Sequence, residues 1–94
     1  MYATVRRYSN AKALSDAMAA RSAEVKQIIS AVPGFIAYYA TRDGDTMTSV
    51  TVCSDSKGTD ESTRQAAAWV KENVKTAMGA PQISAGEVFI SFSK

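Results

Sequence analysis

Residues 35–54 read FIAYYATRDGDTMTSVTVCS and carry the strongest structural signal of the chain. The first half is rich in aromatic and apolar residues and the second half in Thr and Val, a composition typical of β-strands. Between them, Asp43-Gly44-Asp45 is a strong turn signal. The stretch predicts a β-hairpin with strands over residues 35–42 and 46–54.

The residues before the hairpin predict one strand and one helix. Residues 2–8 alternate in a β-branched and aromatic stretch, which predicts a strand. Ser9 and Asn10 are helix-capping residues, and Pro33 with Gly34 would end a helix. Between them the apolar side chains fall at helical spacing, so we expect one helix over residues 11–32. These side chains are Leu14, Met18, Val25, Ile28, Ile29 and Val32.

The residues after the hairpin predict a second helix and a last strand. Ser62 and Gln65 have capping-box spacing, which favours a helix over about residues 60–78. Its expected buried stripe is Ala66, Val70, Val74 and Ala77, with Trp69 on the flank of that stripe. A strand is expected over about residues 83–93, with Gly86 as a bulge or bend.

The resulting order is βαββαβ, a ferredoxin-like α+β fold in which a four-stranded antiparallel sheet carries two helices on one face. Residues 1–94 are expected to form a single domain. The other face of the sheet is too apolar to meet water, because residues 35–40 are apolar on both faces and residues 88–92 are nearly so. No residues remain to cover it, so we expect a homodimer through the sheet face.

Composition excludes several classes of function. The net charge of +2 is made of interspersed charges, which argues against nucleic acid. An RNA-recognition domain shares the element order, but residues 46–54 contain no aromatic and no basic residue. No apolar run could span a bilayer and no signal peptide is evident, so we expect no membrane contact and a cytoplasmic protein. With no His and one Cys, the chain offers no zinc cluster, disulfide or His-activated nucleophile, and no cofactor is predicted.

Several short motifs carry a resemblance over nearly the whole chain. They are Pro33-Gly34-Phe35 with Tyr38-Tyr39, the Asp-Gly-Asp turn, Ala66-Ala67-Ala68-Trp69-Val70 and Gly86-Glu87-Val88. Together they resemble the dimeric α+β barrel superfamily, and within it the small antibiotic-biosynthesis-monooxygenase-like (ABM-like) proteins.

The resemblance implies a dimer whose two sheets form a barrel-like core, with a small-molecule pocket between sheet and helices in each subunit. Characterised relatives include oxygenases of aromatic polyketides or quinols that need no metal or flavin, and haem-degrading enzymes. The haem-degrading branch requires a His ligand, so that activity is not carried over to this chain.

The resemblance also implies that Trp69 contributes to the pocket. Gln65 and Asn73 lie one turn on either side of it and could hydrogen-bond a ligand oxygen. Asn10 is a second candidate for the Asn that the superfamily often presents near its Trp. The alternative is that Trp69 packs at the edge of the core or at the dimer seam.

Other candidate ligand-binding residues come in pairs on the strands. Tyr38 and Tyr39 point to opposite faces, as do Arg6 and Arg7, so at most one of each pair faces the pocket. An inward Arg could bind an anionic enolate or phenolate, or form a salt bridge to Glu87 or Asp55.

Two further side chains are weighed on their chemistry. Glu87 could act as a base or form an interface salt bridge. Cys53 is expected to be a small buried hydrophobe.

Two functions therefore stay open. One is a cofactor-independent monooxygenase acting on a small phenol, quinol or anthrone, in which a base removes a proton and the carbanion reduces oxygen. The other is a non-catalytic, small-molecule-binding or stress-associated dimeric protein. Neither the substrate nor the presence of catalysis follows from the sequence.

Overall fold

The structure is a computed structural model that describes residues 1–74 and 79–94. Its elements are β1 (Tyr2–Tyr8), α1 (Lys12–Ala20), α2 (Ser22–Ser30), β2 (Phe35–Asp43), β3 (Thr46–Cys53), α3 (Ser56–Asn73) and β4 (Gln82–Glu87). The strands form one sheet in the order β2-β3-β1-β4, and all neighbours are antiparallel. The predicted ferredoxin-like α+β fold is confirmed.

Strand alternation decides which side chains meet the helices. Along β3 every second residue is buried, and the register places Ser49 opposite Arg6 and Met47 opposite Tyr8 of β1. These residues belong to the helix face of the sheet. The opposite face, which we call the open face, presents Val5 of β1 and Tyr39 of β2. None of the helices in the described part of the chain is long and apolar enough to cross a membrane.

The prediction of one helix over residues 11–32 was wrong, because the backbone turns at Arg21 and separates α1 from α2. The main-chain hydrogen bonds continue across this kink, from Arg21 N to Ala17 O and from Val25 N to Arg21 O. The Arg21 side chain at the kink reaches Asn73 on α3. Ser9 and Asn10 do not cap α1, since its N-cap is Ala11, whose N–H donates to Asp45 O.

α3 begins four residues before the predicted start. Asp55 is its N-cap and accepts a hydrogen bond from Lys57 N at 3.0 Å, whereas Ser62 of the predicted capping box is fully buried inside the helix. The backbone of this first turn packs directly against Pro33 and Cys53 at Gly58. If Gly58 carried a Cβ, that atom would lie only 2.1 Å from Pro33 O and 2.7 Å from Cys53 Cβ. Tertiary packing thus outweighs the weak helix propensity of this segment. The predicted end of the helix, with Ala77, lies outside the described residues.

The last strand, β4, is shorter than predicted, because the neighbouring strand β1 offers no pairing residues beyond its N-terminal end. β4 pairs with β1, which begins at Tyr2, so the ladder closes with Val88 N donating to Met1 O at 2.9 Å. The following residues leave the sheet, and Phe89 and Phe92 are 86% and 91% exposed. Gly86 lies in regular register, and the irregularity in the sheet falls at Ile36 of β2 instead.

Candidate functional site

A small cavity lies between the helix face of the sheet and the helices, and we call it the Trp69 cavity. Its aromatic walls are Tyr8, Tyr38 and Trp69, and its polar groups come from Ser49 and Gln65. The remaining lining is aliphatic or Met. Its volume is about 30 Å³, room for one or two water molecules.

Trp69 lies at the centre of the buried face of α3, not on its flank as predicted. It is 6% exposed and packs in the core with Leu14 and Met47. Its indole Nε1 donates to Glu24 Oε1 of α2 at 3.0 Å, which fixes the ring plane. The same ring packs the core and walls the cavity. A part for Trp69 in ligand binding stays a prediction.

Gln65 and Asn73, the polar residues one turn on either side of Trp69, do not face the same space. Gln65 lines the cavity, and its Nε2 donates to Glu61 Oε2 at 2.8 Å. Asn73 instead donates to the main-chain oxygen of Trp69 at 2.9 Å and accepts from Arg21, so it holds the end of α3 to the kink between α1 and α2. Asn73 does not line the Trp69 cavity.

Tyr38 and Tyr39 lie on opposite faces of the sheet, as the alternation of side chains along a strand requires. Tyr38 lines the cavity, whereas Tyr39 lies on the open face and is 65% exposed. Burial raises the pKa of Tyr38, against the opposing effects of the Arg6 charge and the Ser49 hydroxyl. Burial also raises the pKa of Tyr8, which the sequence reasoning missed. Both phenols keep their protons at neutral pH and can donate hydrogen bonds.

Arg6 is the most unusual residue of the interior, because it is 1% exposed and has only hydroxyl partners. Nε donates to Ser49, Nη1 to Ser62 and Thr63, and Nη2 to Thr51, over 2.7–3.2 Å. Burial lowers its pKa, but a guanidinium stays protonated in proteins. Within the described residues no carboxylate pairs with it.

The remaining charged candidates do not line the Trp69 cavity. Arg7 is exposed on the open face, and Glu87 is exposed at the end of β4, opposite Tyr2. Asp55 caps α3. Neither of the salt bridges considered for Arg6 is therefore formed. Cys53 is fully buried, as predicted, and burial raises the pKa of its thiol.

Ser49 brings the charge of Arg6 to the cavity. Its Oγ accepts from Arg6 Nε at 3.2 Å, so its own proton can be donated either toward Tyr38 or into the cavity that both side chains line. A hydroxyl polarised by a guanidinium is a strengthened donor. The sequence carried a faint signal of this arrangement in the Ser and Thr residues that alternate along β3.

An open groove adjoins the Trp69 cavity, and we call it the outer groove. It lies between α1, α2 and β2 and has a volume of about 350 Å³. Met18, Val25, Tyr38 and Met47 line both spaces and separate them. Met is unbranched and flexible. Met18 and Met47 are therefore the flexible members of the shared wall.

Across residues 1–74 and 79–94, no three His, Cys, Asp or Glu side chains cluster closely enough to hold a metal ion.

Comparisons with known proteins establish the fold. No protein-family model matches the chain, and no curated sequence matches it significantly. Among solved structures, MupZ from Pseudomonas fluorescens superposes with a TM-score of 0.68 at 17% identity over 89% of this chain, which spans 65% of the length of MupZ. SnoaB, a cofactor-independent oxygenase from Streptomyces nogalater, gives 0.66 at 12% identity, covering 99% of this chain and 97% of SnoaB.

A third structure, a MhuD variant with two manganese protoporphyrin IX molecules bound per active site, gives a TM-score of 0.71 at 12% identity over the full length of both chains. The Trp69 cavity has no room for a molecule of that size. At these identities the likeness shows a common fold. The α+β fold predicted from the sequence is shared with these three structures.

Proposed function

We propose that this chain binds a small, electron-rich aromatic molecule of the phenol, quinol or anthrone class in the Trp69 cavity and oxidises it with molecular oxygen, without a cofactor. The observation that carries the proposal is the convergence of three aromatic rings and the Arg6-polarised Ser49 hydroxyl on one apolar space. Aromatic walls with a few placed polar groups are typical of sites for aromatic ligands. The shared fold with SnoaB supports the reaction class.

Entry of the ligand requires the cavity to open. A cavity of about 150 Å³ is needed to hold a benzene ring, and the Trp69 cavity has about 30 Å³. Displacement of Met18 and Met47 would add space from the outer groove. The ligand would then lie between Trp69 and Tyr38, with its oxygen toward Ser49.

The polar groups that line or adjoin the Trp69 cavity would stabilise a negatively charged substrate oxygen. Neutral Tyr38 and the Ser49 hydroxyl would donate to the oxygen of the deprotonated substrate, and the buried charge of Arg6 would favour that anion. The substrate anion gives electrons to oxygen. One oxygen atom enters the product, and the other leaves as water with the two hydrogens that the substrate loses.

Oxygen uptake with dithranol, an anthrone, tests the proposal. The wild type should consume oxygen above the rate in buffer, and Tyr38→Phe should lower the rate about a hundred- to a thousandfold, because one donor to the oxyanion is lost. Tyr39→Phe is the matched control, since it makes the same change on the open face and should keep the wild-type rate. Equal rates in Tyr38→Phe and Tyr39→Phe would overturn the assignment of the site.

Binding without turnover is the second candidate function. It is favoured by the lining itself, because no carboxylate, thiolate or imidazole lines the Trp69 cavity in the described part of the chain. This alternative predicts that dithranol quenches Trp69 fluorescence saturably while oxygen uptake stays at the buffer rate. Quenching together with catalysed uptake would reject it.

A homodimer through the open face completes the proposal. Tyr39 is 65% exposed there, the bulge residue Ile36 of β2 is 49% exposed, and beyond β4 Phe89, Ile90 and Phe92 are 66–91% exposed. Large apolar side chains exposed on a folded domain are candidates for an interaction site. Light scattering at micromolar concentration should give twice the chain mass, and Tyr39→Glu should lower that mass. A strict monomer would contradict the proposal.

A further inference from the structure

A second recess lies between α3 and β4, and we call it the α3–β4 groove. Tyr8 and Val70 line both this groove and the Trp69 cavity and separate them. Its volume is about 480 Å³, within the range of about 300–1,000 Å³ typical of ligand sites. Thr63, Ala67 and Val70 line it along one face of α3, and Pro81 and Ile83 form the opposite wall. Trp69 is on a different face of the helix and does not line this groove.

Among the described residues that line the α3–β4 groove, the two charged side chains are both positive. Arg6 lies at its base and Lys71 at its exposed rim, and none of the described residues that line it is acidic. Arg6 has no carboxylate partner within the described chain. A buried cation held only by neutral hydroxyls keeps an uncompensated desolvation cost, which an incoming anion would offset.

Thr63 connects this buried charge to the groove. Its Oγ1 accepts from Arg6 Nη1 at 3.0 Å, so its own hydroxyl proton is left to donate, and the side chain lines the groove. An anionic oxygen placed against Thr63 would receive a hydrogen bond strengthened by Arg6 and would lie in the field of Lys71.

Apart from Tyr8, the other described side chains that line the groove are apolar. Ala67, Val70, Val74 and Pro81 form its walls with Ile83, which is 51% exposed at the edge of the sheet. A hydrocarbon group covering these side chains would remove apolar surface from water. The groove therefore suits a molecule with one negative head and an apolar body.

We infer that the α3–β4 groove binds a small organic carboxylate with an apolar body. The carboxylate meets Thr63 above Arg6, with Lys71 at the rim, and the hydrocarbon lies along α3 and Ile83. A single negative charge matches this site, because one hydroxyl donor and one ammonium face the groove. The inference does not depend on the proposed function, which concerns the Trp69 cavity.

Calorimetric titration with octanoate, octanamide and inorganic phosphate tests the inference. Octanoate should bind saturably at one site per chain, at least tenfold more tightly than octanamide, which has the same body without the charge. Phosphate should bind more weakly than octanoate, because it lacks the apolar body. Equal affinity for octanoate and octanamide would overturn the inference, as would tighter binding of phosphate.

Variants locate the binding. Lys71→Gln should weaken octanoate about two- to fivefold, as expected for one exposed charge pair, and Lys71→Glu should weaken it about tenfold or more. Lys57→Gln is the matched control, since it removes the same charge from the same helix away from the groove. Wild-type affinity in Lys71→Glu would place the carboxylate elsewhere and overturn the inference.

Arg6→Met tests the base of the groove. It should lower octanoate affinity about tenfold or more, with circular dichroism used to check that the variant is folded. If it does not fold, the two Lys71 variants and Lys57→Gln decide the question. Tyr38→Phe should leave octanoate binding unchanged, so a failure of this inference is distinguishable from a failure of the proposed function.

Discussion

Replacing Met47 by Ala should open the Trp69 cavity to the outer groove. Met47 is 3% exposed and lines both spaces, opposite Tyr8 in the sheet. The change removes the side chain beyond Cβ and leaves an enlarged space between Trp69 and the groove. We expect it to lower the free energy of unfolding by about 2–5 kcal/mol, which a domain of about 5–15 kcal/mol total stability can survive.

An aromatic ligand should raise the free energy of unfolding of Met47→Ala more than that of the wild type. A ligand at a hundred times its dissociation constant adds about 2.7 kcal/mol to the free energy of unfolding. 2-Naphthol should therefore restore much of the stability that Met47→Ala loses, because the enlarged cavity accepts the ring without displacing a side chain. Urea unfolding followed by far-ultraviolet circular dichroism, with and without the ligand, measures both effects.

Met47→Leu is the matched control. It nearly conserves the volume and should cost less than about 1.5 kcal/mol. Two results would refute the reasoning. One is a Met47→Ala cost below about 1 kcal/mol, which would mean that Met47 does not fill the interior. The other is equal stabilisation of Met47→Ala and Met47→Leu by 2-naphthol, which would mean that Met47 does not close the cavity.

Two further predictions concern stability. Gly58→Ala should be strongly destabilising in urea unfolding, because the added Cβ would lie 2.1 Å from Pro33 O. Gly86→Ala is the control, since its Cβ would meet nothing within 4 Å, and it should change the free energy of unfolding by less than about 1 kcal/mol. Equal effects of the two substitutions would contradict the close approach of α3 to Pro33. Stability should also fall as pH rises above 10.0, the ordinary pKa of Tyr, because burial raises the pKa of Tyr8 and Tyr38 and the folded state keeps protons that the unfolded chain releases. Tyr38→Phe should make this alkaline loss shallower in pH-dependent unfolding, and a slope unchanged from wild type would count against a buried phenol.

The parts of the fold that could be predicted from the sequence are those with short-range signals. β1 and the hairpin have the expected bounds to within one residue, because side-chain alternation and the Asp-Gly-Asp turn act locally. The kink at Arg21 could not be predicted, since it accompanies a contact with Asn73, far along the chain. The early start of α3 likewise depends on the packing of Gly58 against Pro33 and Cys53.

The candidate site was predictable in kind and only partly in detail. The opposition of Tyr38 to Tyr39 follows from strand periodicity. Helical periodicity put Trp69 on the flank of the buried face of α3, whereas it lies at the centre of that face. The hydroxyl partners of Arg6 do not, because they lie 43–57 residues away on two elements. Strand periodicity puts Arg6 and Arg7 on opposite faces, but only the pairing of β1 with β3 and α3 shows which one is buried.

The indole signal of Trp69 tests the central claim most directly. The chain has a single Trp, so a ¹⁵N-labelled sample has one indole N–H resonance, from the wall of the Trp69 cavity. Titration with 2-naphthol should shift this resonance saturably, with the same dissociation constant as calorimetry. Saturable binding by calorimetry without any change in the indole resonance would contradict the claim that small aromatic molecules bind between the sheet and the helices.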